Sequence, residues 1–338
     1  MEAGLRLWAN PSSPHAEGRA ARRALEDARA RIAAALGWAG EVILTSGASE
    51  AAALALGRAA GGERLVGAVE HEAVLGAAPG ATLLPVKADG AIDLAALERE
   101  LAAADEPLVA VQSINSETGN AQDLAPIAAL VQAAGGLLLV DASQSAGKAP
   151  LPQEADLAIV SAHKFGGPVG VGALLVADPA MLAPSGGQER GYRRGTENLP
   201  GAMAMAAALE ACAVPYCGWE VEGALERLVD ETHAAGGVWI GDRLAAPTGL
   251  IHSLAMPGIS ASAQLMRLDL LGFSVSQGSA CSSGSMRPSH VLAAMGVPEE
   301  LAARTIRISL GWTTEPADIE RFCEAWVQIA RAGRGQAA

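Results

Sequence analysis

Two apolar runs that each stop at a cluster of polar residues constrain this chain most. Leu137-Leu-Leu-Val-Asp-Ala-Ser-Gln-Ser-Ala-Gly147, and the run from Asp156 to Val160 that ends at Ser161-Ala-His-Lys-Phe-Gly-Gly167, read as strands buried on both faces where they leave a parallel sheet. Strand and helix signals alternate before them. A helix is expected from Glu17 to Leu36 with Gly37 as its stop, a strand over Glu41–Thr45, and an Ala/Leu-rich helix opening at Ala48-Ser-Glu50. Strands follow over 64–69, 81–86 and 107–114, with helices from His71, Asp93 and Leu124 between them, and the run 169–176 continues the sheet. Such βα alternation predicts an α/β fold, a large domain whose mostly parallel sheet is flanked by helices. After a break at Pro215–Gly218 the pattern turns to mixed helices and short strands, a smaller α+β C-terminal domain. The boundaries expected are 10–216 for the large domain, 217–332 for the small one, and a frayed tail at 333–338.

Ligands of open α/β sheets bind at the carboxyl ends of the strands. One rim would therefore collect an acid, an amide, a hydroxyl, an imidazole and an amine: Asp141, Gln144, Ser161, His163 and Lys164. That set suits pyridoxal phosphate, whose aldehyde joins a lysine and whose ring nitrogen pairs with an acid. Ala48 and Ser49 sit at a helix start, where free N–H groups attract a phosphate, although an ordinary helix cap is the plainer reading of that segment by itself. His71 follows a strand end. A lone histidine is usually structural, but at this rim it would stack on a cofactor ring and move protons. Asn115-Ser-Glu-Thr-Gly119 ends another strand at the same rim. The Gly- and Arg-rich stretch 186–198 is either a solvated loop or a segment crossing a subunit interface to reach an anion.

Length and charge narrow the class. A chain of 338 residues, half of them apolar, can bury a large core, and a formal charge of -13 argues against direct nucleic-acid binding. No run is long and apolar enough for a membrane span, and the N-terminus has no secretory pattern, so a cytoplasmic enzyme is expected. The four cysteines form no Cys-x-x-Cys pair, and no metal site is expected. Cys212 and Cys323 read as core residues, and Cys217 as part of a turn without a role. Cys281 stands apart in Ser276-Gln-Gly-Ser-Ala-Cys-Ser-Ser-Gly-Ser285, a setting that no core cysteine needs.

Four motifs in order carry a resemblance: Ser161-Ala-His-Lys-Phe-Gly-Gly-Pro168, Gly187-Gln-Glu-Arg-Gly-Tyr-Arg-Arg-Gly-Thr-Glu-Asn198, Gln277-Gly-Ser-Ala-Cys-Ser-Ser-Gly-Ser285 and Arg307-Ile-Ser-Leu-Gly311. From Asn10 to about Ile329 the chain resembles the cysteine desulfurases, class-V aminotransferase-like enzymes of pyridoxal-phosphate fold type I, in their long catalytic-loop branch. The resemblance implies that Lys164 carries the cofactor, Asp141 holds its ring nitrogen, and Gln144 bonds its phenolic oxygen. Ala48, Ser49, Ser161 and His163 would bind the phosphate, joined by Thr196 from the other subunit of a homodimer. His71 would stack on the ring and Arg307 would clamp the substrate carboxylate. Cys281 would take sulfur from L-cysteine as a persulfide, leaving alanine, and pass it to an acceptor protein for iron–sulfur clusters or thiolation.

Three features depart from the family pattern. The family's opening strand and its Asn/Ala-Thr-Thr-Pro segment would precede the region of likeness, so an upstream start or a substitute segment is expected. Asn115-Ser-Glu stands where Asn-Asn-Glu is usual, which puts the Ser116 hydroxyl in place of an amide that would touch the phenolic oxygen. Glu50 is followed by three alanines where polar residues are common. The competing readings are another pyridoxal-phosphate enzyme, such as a selenocysteine lyase or aminotransferase, and a catalytically degenerate scaffold. A metal site of Cys281 with His290 is the poorest of them, because nearby ligands are lacking.

Overall fold

The computed structural model describes residues 1–212, 216–278 and 288–334. The chain divides into two compact units, the first formed by 1–84, 94–113 and 123–214, the second by 85–93, 114–122 and 215–338.

The first unit is built on a seven-stranded sheet: β1 (Glu41–Thr45), β2 (Arg64–Gly67), β3 (Thr82–Leu84), β4 (Leu108–Gln112), β5 (Leu137–Asp141), β6 (Leu157–Ser161) and β7 (Gly172–Val176). Their order is β1-β7-β6-β5-β4-β2-β3. Strands β3, β2, β4, β5 and β6 run parallel, whereas β7 lies antiparallel to both β6 and β1. The parallel strands read as unbroken apolar runs because both faces are covered, and β4, β6 and β7 are buried at every position. The covering helices are α1 (Glu2–Leu7), α2 (Ala16–Leu36), α3 (Ala48–Arg58), α4 (Glu72–Ala77), α5 (Leu94–Ala103), α6 (Leu124–Ala133) and α7 (Leu199–Ala211). Helix α2 buries Leu25, Ala28 and Ile32 and stops at Gly37, whose φ of +63° suits a residue without a side chain. Helix α1 was not foreseen: Glu2-Ala-Gly-Leu-Arg-Leu7 carries no apolar period, and it forms where Gly4 lets the helix approach Pro200 closely.

The second unit has a four-stranded antiparallel sheet of β8 (Val238–Trp239), β9 (Ile251–Ala255), β10 (Ser276–Gln277) and β11 (Thr305–Ser309), in the order β10-β11-β9-β8. Its helices are α8 (Glu222–Ala234), α9 (Ala261–Leu270), α10 (His290–Ala294), α11 (Glu299–Ala302) and α12 (Pro316–Arg334). Leu228, Leu254, Ile306, Phe322 and Trp326 form its core.

Two cysteine expectations need correction. Cys217 lies in the bend expected there, but its side chain belongs to this second core, so it has a packing role. Cys212, expected in a core, is only half-buried at the C-cap of α7, because the helix ends there and brings its thiol beside Gly147 and Phe165.

Candidate active site

In the first unit the carboxyl ends of β4, β5 and β6 carry the polar rim. Asp141 is the last residue of β5, in register with Gln112 on one side and Ile159 on the other. Its carbonyl accepts the Ser113 N–H at 3.0 Å and the Ser113 hydroxyl at 3.1 Å, and its Oδ1 accepts the Ser143 N–H at 2.9 Å. The acid is thus fixed from both strands. Behind it lies Glu70, fully buried, whose Oε1 accepts the Gln112 N–H at 2.6 Å, while Gln112 Nε2 donates to the Val69 carbonyl at 2.6 Å. Burial, and next the charge of Asp141, hold the Glu70 carboxyl well above the usual carboxylate range.

Lys164 lies in a single 3-10 turn, Ala162–Phe165, that follows β6 directly and closes at Gly166 with φ +84°. His163, beside it, shares a 3.0 Å hydrogen bond between its Nδ1 and Ser161 Oγ. Desolvation, then the charges of Lys164 and Lys148, push the His163 imidazole below its usual value, toward the neutral form. The N-terminus of α3 reaches the same place. Gly47 caps that helix, and a Cβ built on Gly47 would come within 3.9 Å of Ser161 Oγ. Gly172 makes this approach possible, since a Cβ there would meet the Gly47 Cα at 2.8 Å. Ala48 and Ser49 therefore present the first-turn N–H groups of an 11-residue helix beside the Ser161 hydroxyl, an arrangement that could hold an anion.

Gln144, in the turn after β5, accepts from Lys148 Nζ at 3.2 Å. His71 caps α4, its Nδ1 accepting the Ala73 N–H at 3.1 Å, which leaves the ring in a fixed plane at the end of the segment that follows β2. Thr196 is exposed, in a loop that is tied down on its own unit. Glu189 pairs with Arg29, Glu197 with Arg22, and Arg193 with Glu50. The arginines 190 and 193 thus have carboxylate partners, and the anion expected for this loop finds no other described cation there than Arg194.

The second unit holds the rest. Arg307, on β11, donates from Nη1 to the Ser116 carbonyl at 2.8 Å. Glu117 is buried and its Oε2 accepts the Ser289 hydroxyl at 2.5 Å, while Ser253 Oγ donates to the Glu117 carbonyl at 2.7 Å. Asn115 Oδ1 accepts from the backbone N–H groups of Glu117 and Thr118, so the 115–119 turn is held from within. Cys281 lies outside the described residues. No cluster of three or more side chains that could hold a metal occurs among the described residues, and none of their helices is long and apolar enough to cross a membrane.

Sequence reasoning did not single out Lys148, Glu70 or the Glu117–Ser289 pair. Lys148 did carry a signal: the chain has three lysines, Lys87, Lys148 and Lys164, among its 24 basic residues. Glu70 had none, because an acid beside a strand end looks the same whether it faces solvent or the sheet.

An acid at the end of β5, an amide in the turn after it, an amine in the turn after β6 and a helix N-terminus beside a hydroxyl form a donor set that fits pyridoxal phosphate. Comparison with known proteins agrees. The profile of the aminotransferase class-V family matches residues 5–322. The chain belongs to that family, on its cysteine desulfurase branch. This class-V chain is 37% identical to a cysteine desulfurase from Frankia sp., over 96% of its own length and 84% of the relative's. It is 36% identical to an IscS-like cysteine desulfurase from Mycobacterium tuberculosis, covering 99% and 93%. Among solved structures, a NifS-like protein from Rickettsia africae superimposes with a TM-score of 0.87 at 30% identity, covering 98% of this chain and 95% of that one. Class-V aminotransferase-like enzymes as a group depend on pyridoxal phosphate, and the fold of the first unit is theirs.

Proposed function

We propose that this protein is a pyridoxal-phosphate-dependent cysteine desulfurase that converts L-cysteine to L-alanine and takes the sulfur onto Cys281. The observation that carries the reading is the convergence, at one sheet rim, of the Asp141 carboxylate, the Gln144 amide, the Lys164 amine and the Gly47-Ala48-Ser49 helix start beside Ser161. Bound there, the cofactor supplies an electron sink for charge drawn from the substrate carbons.

The residues divide the work. Asp141 would hold the ring nitrogen, and burial keeps the carboxyl of Glu70 beside it well above the usual carboxylate range. Gln144 would bond the phenolic oxygen, and the Ser116 hydroxyl stands where the family has an amide for the same atom. Ala48, Ser49, Ser161 and His163 take the phosphate without any Lys or Arg, and Thr196 joins them from the partner of a homodimer. His71 covers the ring. Lys164 Nζ would hold the cofactor by its aldehyde and, as a free amine, would move a proton at the substrate carbon. Arg307 takes the substrate carboxylate in its fork. The Cys281 thiolate attacks the substrate sulfur, a sulfur–sulfur bond forms, and the carbon–sulfur bond breaks with its electron pair going to the carbon that becomes the methyl group of alanine. The persulfide sulfur then passes to an acceptor thiol.

Incubation with cysteine and a reductant tests this. Alanine and sulfide should appear in equal amounts, and Cys281→Ser should abolish the sulfide. A Cys281→Ser protein that still releases sulfide at the parent rate would overturn the assignment.

A further inference from the structure

The loop that carries Thr196 also touches the helix whose N-terminus faces the Ser161 hydroxyl. Glu50 is the third residue of α3, after the Gly47 cap, Ala48 and Ser49, and its side chain folds back over the first turn, where Oε2 accepts the Ser46 N–H at 2.5 Å. Its other oxygen, Oε1, accepts from Arg193 Nε at 2.8 Å. The guanidinium comes from an anchored turn. Arg193 pairs with Gln188 across an antiparallel bridge, its N–H donating to the Gln188 carbonyl at 3.3 Å, and the neighbouring Glu189 carboxylate is fixed by Arg29. A Cβ on Gly187 would fall 3.1 Å from the Arg193 carbonyl oxygen, so the loop is tightly closed there. The side chains of Arg193 and Glu50 are 21% and 33% exposed, which leaves their charges only partly screened.

We propose that Arg193 is a positioning residue of the phosphate site: by pairing with Glu50 it neutralises a carboxylate that would otherwise repel the phosphate from the α3 N-terminus. The inference rests on the phosphate role given above to Ala48, Ser49 and Ser161. A helix N-terminus attracts an anion through its free N–H groups and its dipole, and a carboxylate in the first turn is already such an anion. Glu50 therefore helps α3 to start, but it works against a second negative group in the same turn. The phosphate would be that group. Of the residues assigned to it, Ala48, Ser49 and Ser161 carry no charge, and desolvation holds His163 toward the neutral form. Arg193 supplies the missing positive charge one residue behind the contact. Glu50 stays ionised for it: burial opposes the charge, but the Arg193 guanidinium and the Ser46 N–H hold the carboxyl below its usual value. An uncharged donor in place of Arg193 would satisfy the Glu50 oxygen and leave its charge standing. The anion that this arginine reaches is thus a carboxylate of its own chain.

The test titrates the full-length protein, freed of cofactor, with pyridoxal phosphate and in parallel with pyridoxal, which lacks the phosphate. Binding is read from the absorbance of the bound ligand. Arg193→Met should weaken pyridoxal phosphate binding about five- to tenfold and leave pyridoxal binding unchanged. That loss should shrink at high salt. Glu50→Gln keeps an acceptor for the Ser46 N–H without the charge, so it should bind pyridoxal phosphate at least as tightly as the parent. Adding Arg193→Met to Glu50→Gln should then weaken binding no further. Arg193→Gln, which keeps a donor to Glu50 but no charge, should behave as Arg193→Met and replaces it if the methionine variant does not fold. A folded Arg193→Met or Arg193→Gln protein with the parent's affinity for pyridoxal phosphate would overturn the inference. So would an equal loss with pyridoxal, or a double variant as weak as Arg193→Met alone, which is the result expected if the pair only holds the loop in place. The underlying reading fails separately: the parent itself would then hold pyridoxal as tightly as pyridoxal phosphate.

Discussion

The Glu189 carboxylate takes both arms of the Arg29 guanidinium, at 2.6 and 3.1 Å, in a pair almost wholly shut off from solvent, and the same carboxylate accepts the Leu44 N–H of β1 at 2.8 Å. Glu189 and Arg190 both hold a left-handed backbone, with φ of +49° and +55°, which non-glycine residues rarely adopt. The ion pair therefore fixes a costly turn at the root of the loop that carries Thr196. Losing one partner leaves an uncompensated buried charge, so Arg29→Met or Glu189→Met should each destabilise the protein by about 3–5 kcal/mol in urea unfolding. The double methionine variant should recover much of that. If instead the two single losses simply add, the pair is not the anchor described.

A second prediction concerns acid. His252, on β9, is buried against Trp239 with ring centroids 5.2 Å apart, and burial pushes its imidazole down to about 4, against a backbone hydrogen bond that raises it. The folded state thus favours the neutral ring. Its contribution is fully present above the unfolded value near 6.5 and is lost as pH falls from there toward 4. The amount at stake is on the order of 3 kcal/mol. His252→Phe should flatten the unfolding midpoint over that window, and a profile as steep as the parent's would argue against it.

Glu70 should act with the opposite sign. Its carboxyl is held protonated by burial and by Asp141, so the stability tied to it is present below about 4.5 and declines as pH rises toward the folded value. Glu70→Gln keeps an acceptor for the Gln112 N–H. Its urea midpoint should match the parent's at pH 4.5 and exceed it at pH 8.

Glu117 and Ser289 give a prediction for sulfide production. Ser289 is among the first described residues after the segment that contains Cys281, and its hydroxyl is held by a buried carboxylate. Glu117→Ala should lower sulfide production about tenfold, equivalent to roughly 1.4 kcal/mol, while the absorbance of bound cofactor stays unchanged. Equal loss of both would show a general folding defect.

Much of the fold is written locally in this chain. Glu41–Thr45 is a strand to the residue expected, and the apolar run that opens at Leu137 is the strand Leu137–Asp141, because an apolar run between turn signals has few other uses. Gly37 ends α2 for the same kind of reason. What stays illegible depends on partners distant in sequence. Helix α1 forms against Pro200, Cys217 is buried only in a core shared with α8 and α12, and the two-residue strand Ser276–Gln277 is placed by its pairing with Arg307 and Ile306. At the candidate site the motif residues were read from their strand ends, whereas the neighbours of Glu70 and Lys148 appear only in the fold.

The most direct test of the account is a peptide mass spectrum of the holoprotein after a single exposure to cysteine without reductant. The account predicts one added sulfur atom on the Cys281 peptide, one alanine released per sulfur, and neither in Lys164→Ala. Sulfur carried on Cys212, Cys217 or Cys323 with Cys281 unmodified, or alanine formed by Lys164→Ala, would contradict it.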